Sequence, residues 1–120
     1  MQIAKMLGDI KKHPDFGKAG MVLCHNGVVR ATTRDGRQVT GLRVAVNHAK
    51  LKQIVHEQSQ KPGIIDIRVD IVENQNLSVG DDIMYLVVAG DIRENVISVL
   101  KETLDAIKRQ VTQKTEFFTD

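Results

Sequence analysis

The chain has 120 residues with 17 basic and 15 acidic side chains, a formal net charge of +2, which sets the scale of one domain with its own core and no global basic field. One Tyr, three Phe and no Trp leave little to stack on bases, so no nucleic-acid partner is expected. A single cysteine excludes an internal disulfide framework, the longest apolar runs are too short to span a bilayer, and Met1 to Met6 lacks the pattern of a signal peptide, so the cytoplasm is the default compartment and no membrane partner is expected.

Ile3, Met6, Leu7 and Ile10 recur at helical spacing and predict a short amphipathic helix over residues 2–12, ended by His13-Pro14-Asp15 because the residue before proline leaves helical geometry. Ala19 to Cys24 reads as a strand, and Val28-Val29-Arg30 continues it past a bulge at Gly27. Thr32 to Arg37 is a polar loop holding the hairpin dipeptide Asp35-Gly36. Val39, Leu42, Val44 and Val46 form the returning strand, whose alternation slips by one residue near Gly41, a second bulge signal. Asn47 is an N-cap for a helix through about Ser59, with Leu51, Ile54 and Val55 inward. After the Lys61-Pro62-Gly63 turn, Ile65, Ile67, Val69 and Ile71 alternate with Asp66, Arg68 and Asp70 as a half-buried strand. Glu73 to Asn76 is a loop anchored by Leu77 and Val79.

Gly80-Asp81 turns into Ile83-Met84-Tyr85-Leu86-Val87-Val88, a continuous apolar run that predicts a strand buried on both faces. Ala89-Gly90 breaks it, and Asp91 with Glu94 three residues on predicts a capping box for the last helix. Ile92, Val96, Leu100, Leu104, Ile107 and Val111, widened by Ile97 and Val99, form its apolar stripe, opposite Arg93, Lys101, Lys108 and Arg109. Thr112 to Phe118 is a β-prone tail. The order α-β-β-α-β-β-α with an extended tail predicts a single α+β domain over residues 1–120, a mostly antiparallel sheet with helices packed on it.

Chemistry-bearing patterns are sparse. Neighbours on a strand point to opposite faces, so Cys24 and His25 form no nucleophile–base dyad, and Cys24 reads as a small buried residue. His13, His25, His48 and His56 lack zinc-ligand spacing and no Gly-rich phosphate loop is present, so neither metal nor cofactor is expected. What remains is cationic and lies at element ends: Arg30 after a strand, Arg93 and Lys108 on the last helix, Lys114 in the tail. Such cations suit an anionic, phosphate-bearing ligand.

The stretch Val22 to Arg30 resembles the Phe-x-Gly-x-Val-Arg strand of the molybdopterin synthase large-subunit family. Gly80-Asp81-Asp82 is similar to that family's Gly-Asp/Glu turn, Leu104 to Lys108 to its Asp-x-Leu-Lys helix end, and Val111 to Glu116 lies where the family has Pro-x-Trp-Lys-Lys/Arg-Glu. The resemblance covers roughly residues 12–117. It implies an α/β hammerhead-type fold, a homodimer, and a small ubiquitin-like partner subunit whose C-terminal thiocarboxylate supplies sulfur. The implied reaction converts cyclic pyranopterin monophosphate to molybdopterin, with Arg30 and Arg93 as substrate-binding residues and Lys108 and Lys114 as catalytic ones. The chain departs from the family pattern at Asp91-Ile92, where the family has His-Arg, and at Thr115, the place of its second lysine. A negative charge at Asp91 would oppose an anion beside it and weaken synthase activity. Two other readings stand beside this one: a non-catalytic relative that binds a ubiquitin-like partner or a pterin without turnover, and an unrelated α+β ligand-binding regulatory domain.

Overall fold

In the computed structural model, which describes residues 2–119, the chain runs α1 (Gln2–Ile10), β1 (Met21–Val28), β2 (Val39–Val46), α2 (His48–Ser59), β3 (Ile64–Ile71), β4 (Leu77–Ser78), β5 (Asp82–Gly90), α3 (Arg93–Gln110) and β6 (Thr112–Phe118), with a 3-10 turn at Phe16–Lys18. The fold is α+β, as expected, and its antiparallel strands fall into two three-stranded sheets, β1-β5-β3 and β4-β2-β6. No helix among the described residues is long and apolar enough to cross a membrane.

β5 is the spine. Hydrogen-bonded on both edges and covered on both faces, it buries every residue from Met84 to Gly90. Its side chains divide by the two-residue period of a strand. Met84, Leu86 and Val88 enter the main core with α3, while Tyr85, Val87 and Ala89 meet Met6 and Ile10 of α1. The α1 side also half-covers Asp66, Arg68 and Asp70, which satisfy their polar groups through the Asp66–Arg68 pair at 3.0 Å and a hydrogen bond from Gln2 to Asp70. A register shift between Ile64 and Asp66 turns Ile65 to this face too, away from the row of Ile67 and Ile71 that the strict alternation predicts for it.

The two bulges lie where the sequence placed them, one at the glycine within the β1 pattern and one at the slipped alternation of β2. Register shifts fall at Gly27/Val28 and between Val39 and Gly41. Gly41 is also required by close approach, since a Cβ there would stand 2.2 Å from the carbonyl oxygen of Leu77 on β4. The Asp35-Gly36 signal makes only a local turn, however. β1 pairs with β5 and β2 with β4 and β6, so the expected β1–β2 hairpin ladder does not form. A single bridge between Thr32 and Gln38 and the bond from Val39 N–H to the Ala31 carbonyl (2.8 Å) close the loop. Leu77 anchors β4 as expected, whereas Val79 is exposed.

Asn47 caps α2, its side-chain oxygen accepting from Lys50 N–H at 3.1 Å. At α3 the cap differs from expectation. The helix begins at Arg93 behind Ile92, and Asp91 belongs to the preceding turn. Its carboxylate accepts from Ile92 N–H (2.6 Å) and the Asn95 side chain (2.9 Å), and its own N–H donates to the Gly63 carbonyl (2.9 Å), so the Asp91–Glu94 box is replaced by an Asp91–Asn95 clasp. The buried stripe of α3 is Val96, Val99, Thr103, Ala106 and Ile107. Steps of four residues advance 400° and so drift 40° each, which carries Leu100 and Leu104 to the flank of the core. Ile92 and Ile97 are turned out, Ile97 being 50% exposed.

Candidate functional site

The last turn of α3 and the start of β6 close one side of a cleft of about 700 Å³ between the two sheets. Leu42 and Val44 from β2, Ile71 from β3, Met84 from β5 and Ile107 from α3 give it an apolar floor. Around that floor stand, among the described residues, Arg30, Arg34, Lys108 and Lys114, four cations against the carboxylate of Glu116. In a concave site such a surplus focuses a positive potential on whatever enters.

Each cation is placed by a local rule. Arg30 follows the β1 bulge, and its Nε donates to the Thr32 carbonyl at 2.8 Å, which steadies the guanidinium, and among the described residues its terminal nitrogens have no hydrogen-bond partner. Lys108 follows the fully buried Ile107, so one helical step of 100° moves it from the core to the cleft wall. Its charge, with that of Arg109, also complements the carbonyl end of α3. On β6 alternate residues share a face, and Thr112, Lys114 and Glu116 line the cleft together. Lys114 lies opposite Val44 and Glu116 opposite Leu42, with Lys114 Nζ 3.8 Å from Glu116 Oε1. Thr115 therefore points to the other face of the strand, and Lys114 is the lysine this tail delivers to the cleft.

The sequence-predicted set is thus brought together in three of its four members, Arg30, Lys108 and Lys114. Arg93 stands apart. It begins α3, pairs with Glu94 at 3.4 Å, and lies fifteen residues from Lys108 along the helix, about 22 Å at 1.5 Å per residue. Asp91 sits at that same remote end, and its carboxyl is held below the usual carboxylate range by the Asn95 side chain and the Ile92 N–H. Within one chain it places no charge against the cleft.

The structure adds Arg34, which the sequence reading did not weigh as a site residue, and His25, which it weighed only as a partner of Cys24 or a zinc ligand and set aside. Arg34 reaches the cleft from the polar loop, a placement no local pattern encodes. His25 continues the row of Met21 and Leu23 on the α3-facing side of β1, so the two-residue period counted from Leu23 was the signal that could have found it. Burial, and then the positive charge of Lys108, hold its imidazole below the ordinary histidine value. Cys24, expected to be buried, is exposed, since its side chain alternates to the face of β1 opposite Leu23 and His25. A smaller groove of about 350 Å³ between α2 and α3 mixes Glu57, Glu102 and Asp105 with Lys61 and Arg109 and focuses no single sign of charge.

The family model described as the MoaE protein matches residues 2–110. The chain belongs to the MoaE protein family. A search of curated protein sequences gave no match. Among solved structures, the chain is similar to molybdopterin synthase from Staphylococcus aureus, with 25% identity and a TM-score of 0.73 over 86% of this chain and 77% of that one. It also resembles the molybdopterin cofactor biosynthesis protein E of Burkholderia multivorans, with 21% identity and a TM-score of 0.75 over 98% and 83% of the two chains. A third similar fold is a chain in the complex of subunits 1 and 2 of the molybdopterin-converting factor of Helicobacter pylori, at 14% identity and a TM-score of 0.70 over 100% and 85%. Membership of the MoaE family together with these neighbours supports a role in molybdenum cofactor biosynthesis and removes the reading as an unrelated regulatory domain.

Proposed function

We propose that this MoaE family member acts as the large subunit of a molybdopterin synthase, converting cyclic pyranopterin monophosphate to molybdopterin with sulfur from a thiocarboxylated small subunit. The observation that carries this reading is the convergence of Arg30, Lys108 and Lys114 on one cleft with an apolar floor. The floor suits a flat heterocycle, and the cations suit its phosphate and the incoming thiocarboxylate. In this reading Arg30 binds the substrate phosphate, while Lys108 and Lys114 stabilise charge developing at the sulfur and at the carbon it attacks. Arg93 has no part in the cleft of its own chain. The Helicobacter pylori neighbour is a complex of two subunits, which supports a small ubiquitin-like partner here, and we extend the reading to a homodimer of this chain. Reconstitution with a thiocarboxylated small subunit and cyclic pyranopterin monophosphate tests it directly. Formation of molybdopterin is expected, and its absence despite tight substrate binding would overturn the reaction.

That second outcome is the signature of the non-catalytic reading, in which the cleft binds a pterin without turnover. One observation favours it: Thr115 occupies the place of the family's second lysine and faces away from the cleft. Lys114 answers it if that lysine alone sustains transfer.

A further inference from the structure

The cleft holds one side chain that differs in kind from the others lining it. Arg30, Arg34, Lys108 and Lys114 are its basic residues, and Glu116 lies 3.8 Å from Lys114. His25 alone can change its charge there within the physiological range. Its Nε2 lies over Gly27, 3.4 Å from where a Cβ at that glycine would stand, which turns the ring along β1 towards the bulge that carries Arg30. Among the described residues no group hydrogen-bonds the His25 ring, in contrast to His48, whose Nε2 meets Glu73. Facing it are Lys108 from α3, Arg30 after β1, Arg34 from the loop, and Lys114 with Glu116 from β6. β2, β3 and β5 present only Leu42, Val44, Ile71, Ile83 and Met84.

We propose that His25 is a further ligand-binding residue of this cleft, its ring taking up a proton and donating a hydrogen bond to an anionic group as that group settles among Arg30, Lys108 and Lys114. Burial and the Lys108 charge both favour the neutral ring in the free protein. A bound anion reverses the second cause by offsetting that charge, and it gives the imidazolium a charge-assisted partner. Binding is then coupled to protonation. The bound-state pKa lies above the free one, so affinity rises as pH falls through the bound value and levels off below the free value. Each unit of separation contributes about tenfold in affinity.

The inference rests on the cleft being the anion site of the proposed function, and the experiment separates the two. Sulfate, whose charge is constant from about pH 5 to about pH 8, is titrated into the wild type and His25→Gln, with the His25 ring followed by NMR. The expected result is an upward shift of the ring's titration on saturation, and a rise of about tenfold in sulfate affinity from the alkaline to the acid end that His25→Gln flattens. A ring titration unmoved by sulfate, an identical pH dependence in His25→Gln, or no sulfate binding at all would overturn it. The same titration with cyclic pyranopterin monophosphate distinguishes the readings. Proton-linked sulfate binding without pterin binding defeats the proposed function and leaves His25 standing. Pterin binding with an unmoved ring does the reverse.

Discussion

Replacing Lys108 with Ala isolates the chemistry of the cleft from the stability of the fold. Lys108 is exposed on the cleft wall, one residue past the fully buried Ile107, so the substitution removes a charge without opening the core. Loss of a cation from the last turn of α3 costs about 0.3–1 kcal/mol through the helix dipole, partly offset by alanine's better helix propensity, so stability should change by less than about 1 kcal/mol. The cleft falls from four cations against one carboxylate to three against one. At about 4 Å a unit charge attracts a singly charged anion by roughly 1 kcal/mol in a water-like medium and by roughly 4 kcal/mol at an effective dielectric near 20. Because Lys108 is open to solvent, the lower half of that range applies, and affinity for cyclic pyranopterin monophosphate should fall by about tenfold, with sulfur transfer falling at least as far. Calorimetric titration of the two proteins reads the first, and single-turnover transfer the second. A ligand-free control tests the geometry itself. Removing Lys108 takes away one of the two causes that depress His25, so the His25 ring must titrate at higher pH in Lys108→Ala, though burial still holds it down. Ligand affinity within twofold of wild type and an unmoved His25 would refute the placement of Lys108 in a working anion site.

Three further outcomes probe the fold and the remote end of α3. Ile97→Ala should change stability by no more than about 0.5 kcal/mol and Ile107→Ala should cost about 2–5 kcal/mol, read from urea midpoints, because Ile97 is turned to solvent and Ile107 is 0% exposed; comparable losses would restore the wider stripe. Gly41→Ala should cost about 3 kcal/mol and lower the melting temperature by roughly 10 °C, since its Cβ meets the Leu77 carbonyl oxygen at 2.2 Å and backbone cannot yield cheaply; a drop of less than about 3 °C would show that β4 moves freely. The Asp91 carboxyl is depressed in the folded chain by Asn95 and the Ile92 N–H, so its contribution is present above the ordinary value near 3.8 and is lost as pH falls through the lower folded value. Asp91→Asn should therefore weaken the fold at neutral pH and converge with wild type in strong acid, and parallel melting curves at every pH would count against the clasp.

Much of this architecture is written in local pattern. The unbroken run from Ile83 to Val88, short and rich in β-branched residues, read as a strand covered on both faces, and it is the spine of the β1-β5-β3 sheet. Asn47 as a cap and the bulges at Gly27 and Gly41 followed from residue chemistry and from a broken two-residue period, both of which act within a few residues. The resemblance of Val22–Arg30 and Leu104–Lys108 to a known family pointed to Arg30 and Lys108 before either had a place in space. What the tertiary structure alone decided is pairing and facing. β1 and β2 join different sheets in spite of the turn between them, because hydrogen-bond partners far along the chain, β5 and β6, compete for their edges. Accumulated drift rotated the stripe of α3 from Leu100 and Leu104 to Val99, Thr103 and Ala106, a difference of tens of degrees that short apolar spacings do not resolve. The Asp91–Glu94 pattern met every local rule for a capping box, yet contacts from Gly63 and Asn95 took Asp91 for the turn. The β2–β6 register turned Lys114 inward and Thr115 outward, and the row begun by Leu23 brought His25 beside Lys108, because a site is a convergence of elements and no single element records where the others end.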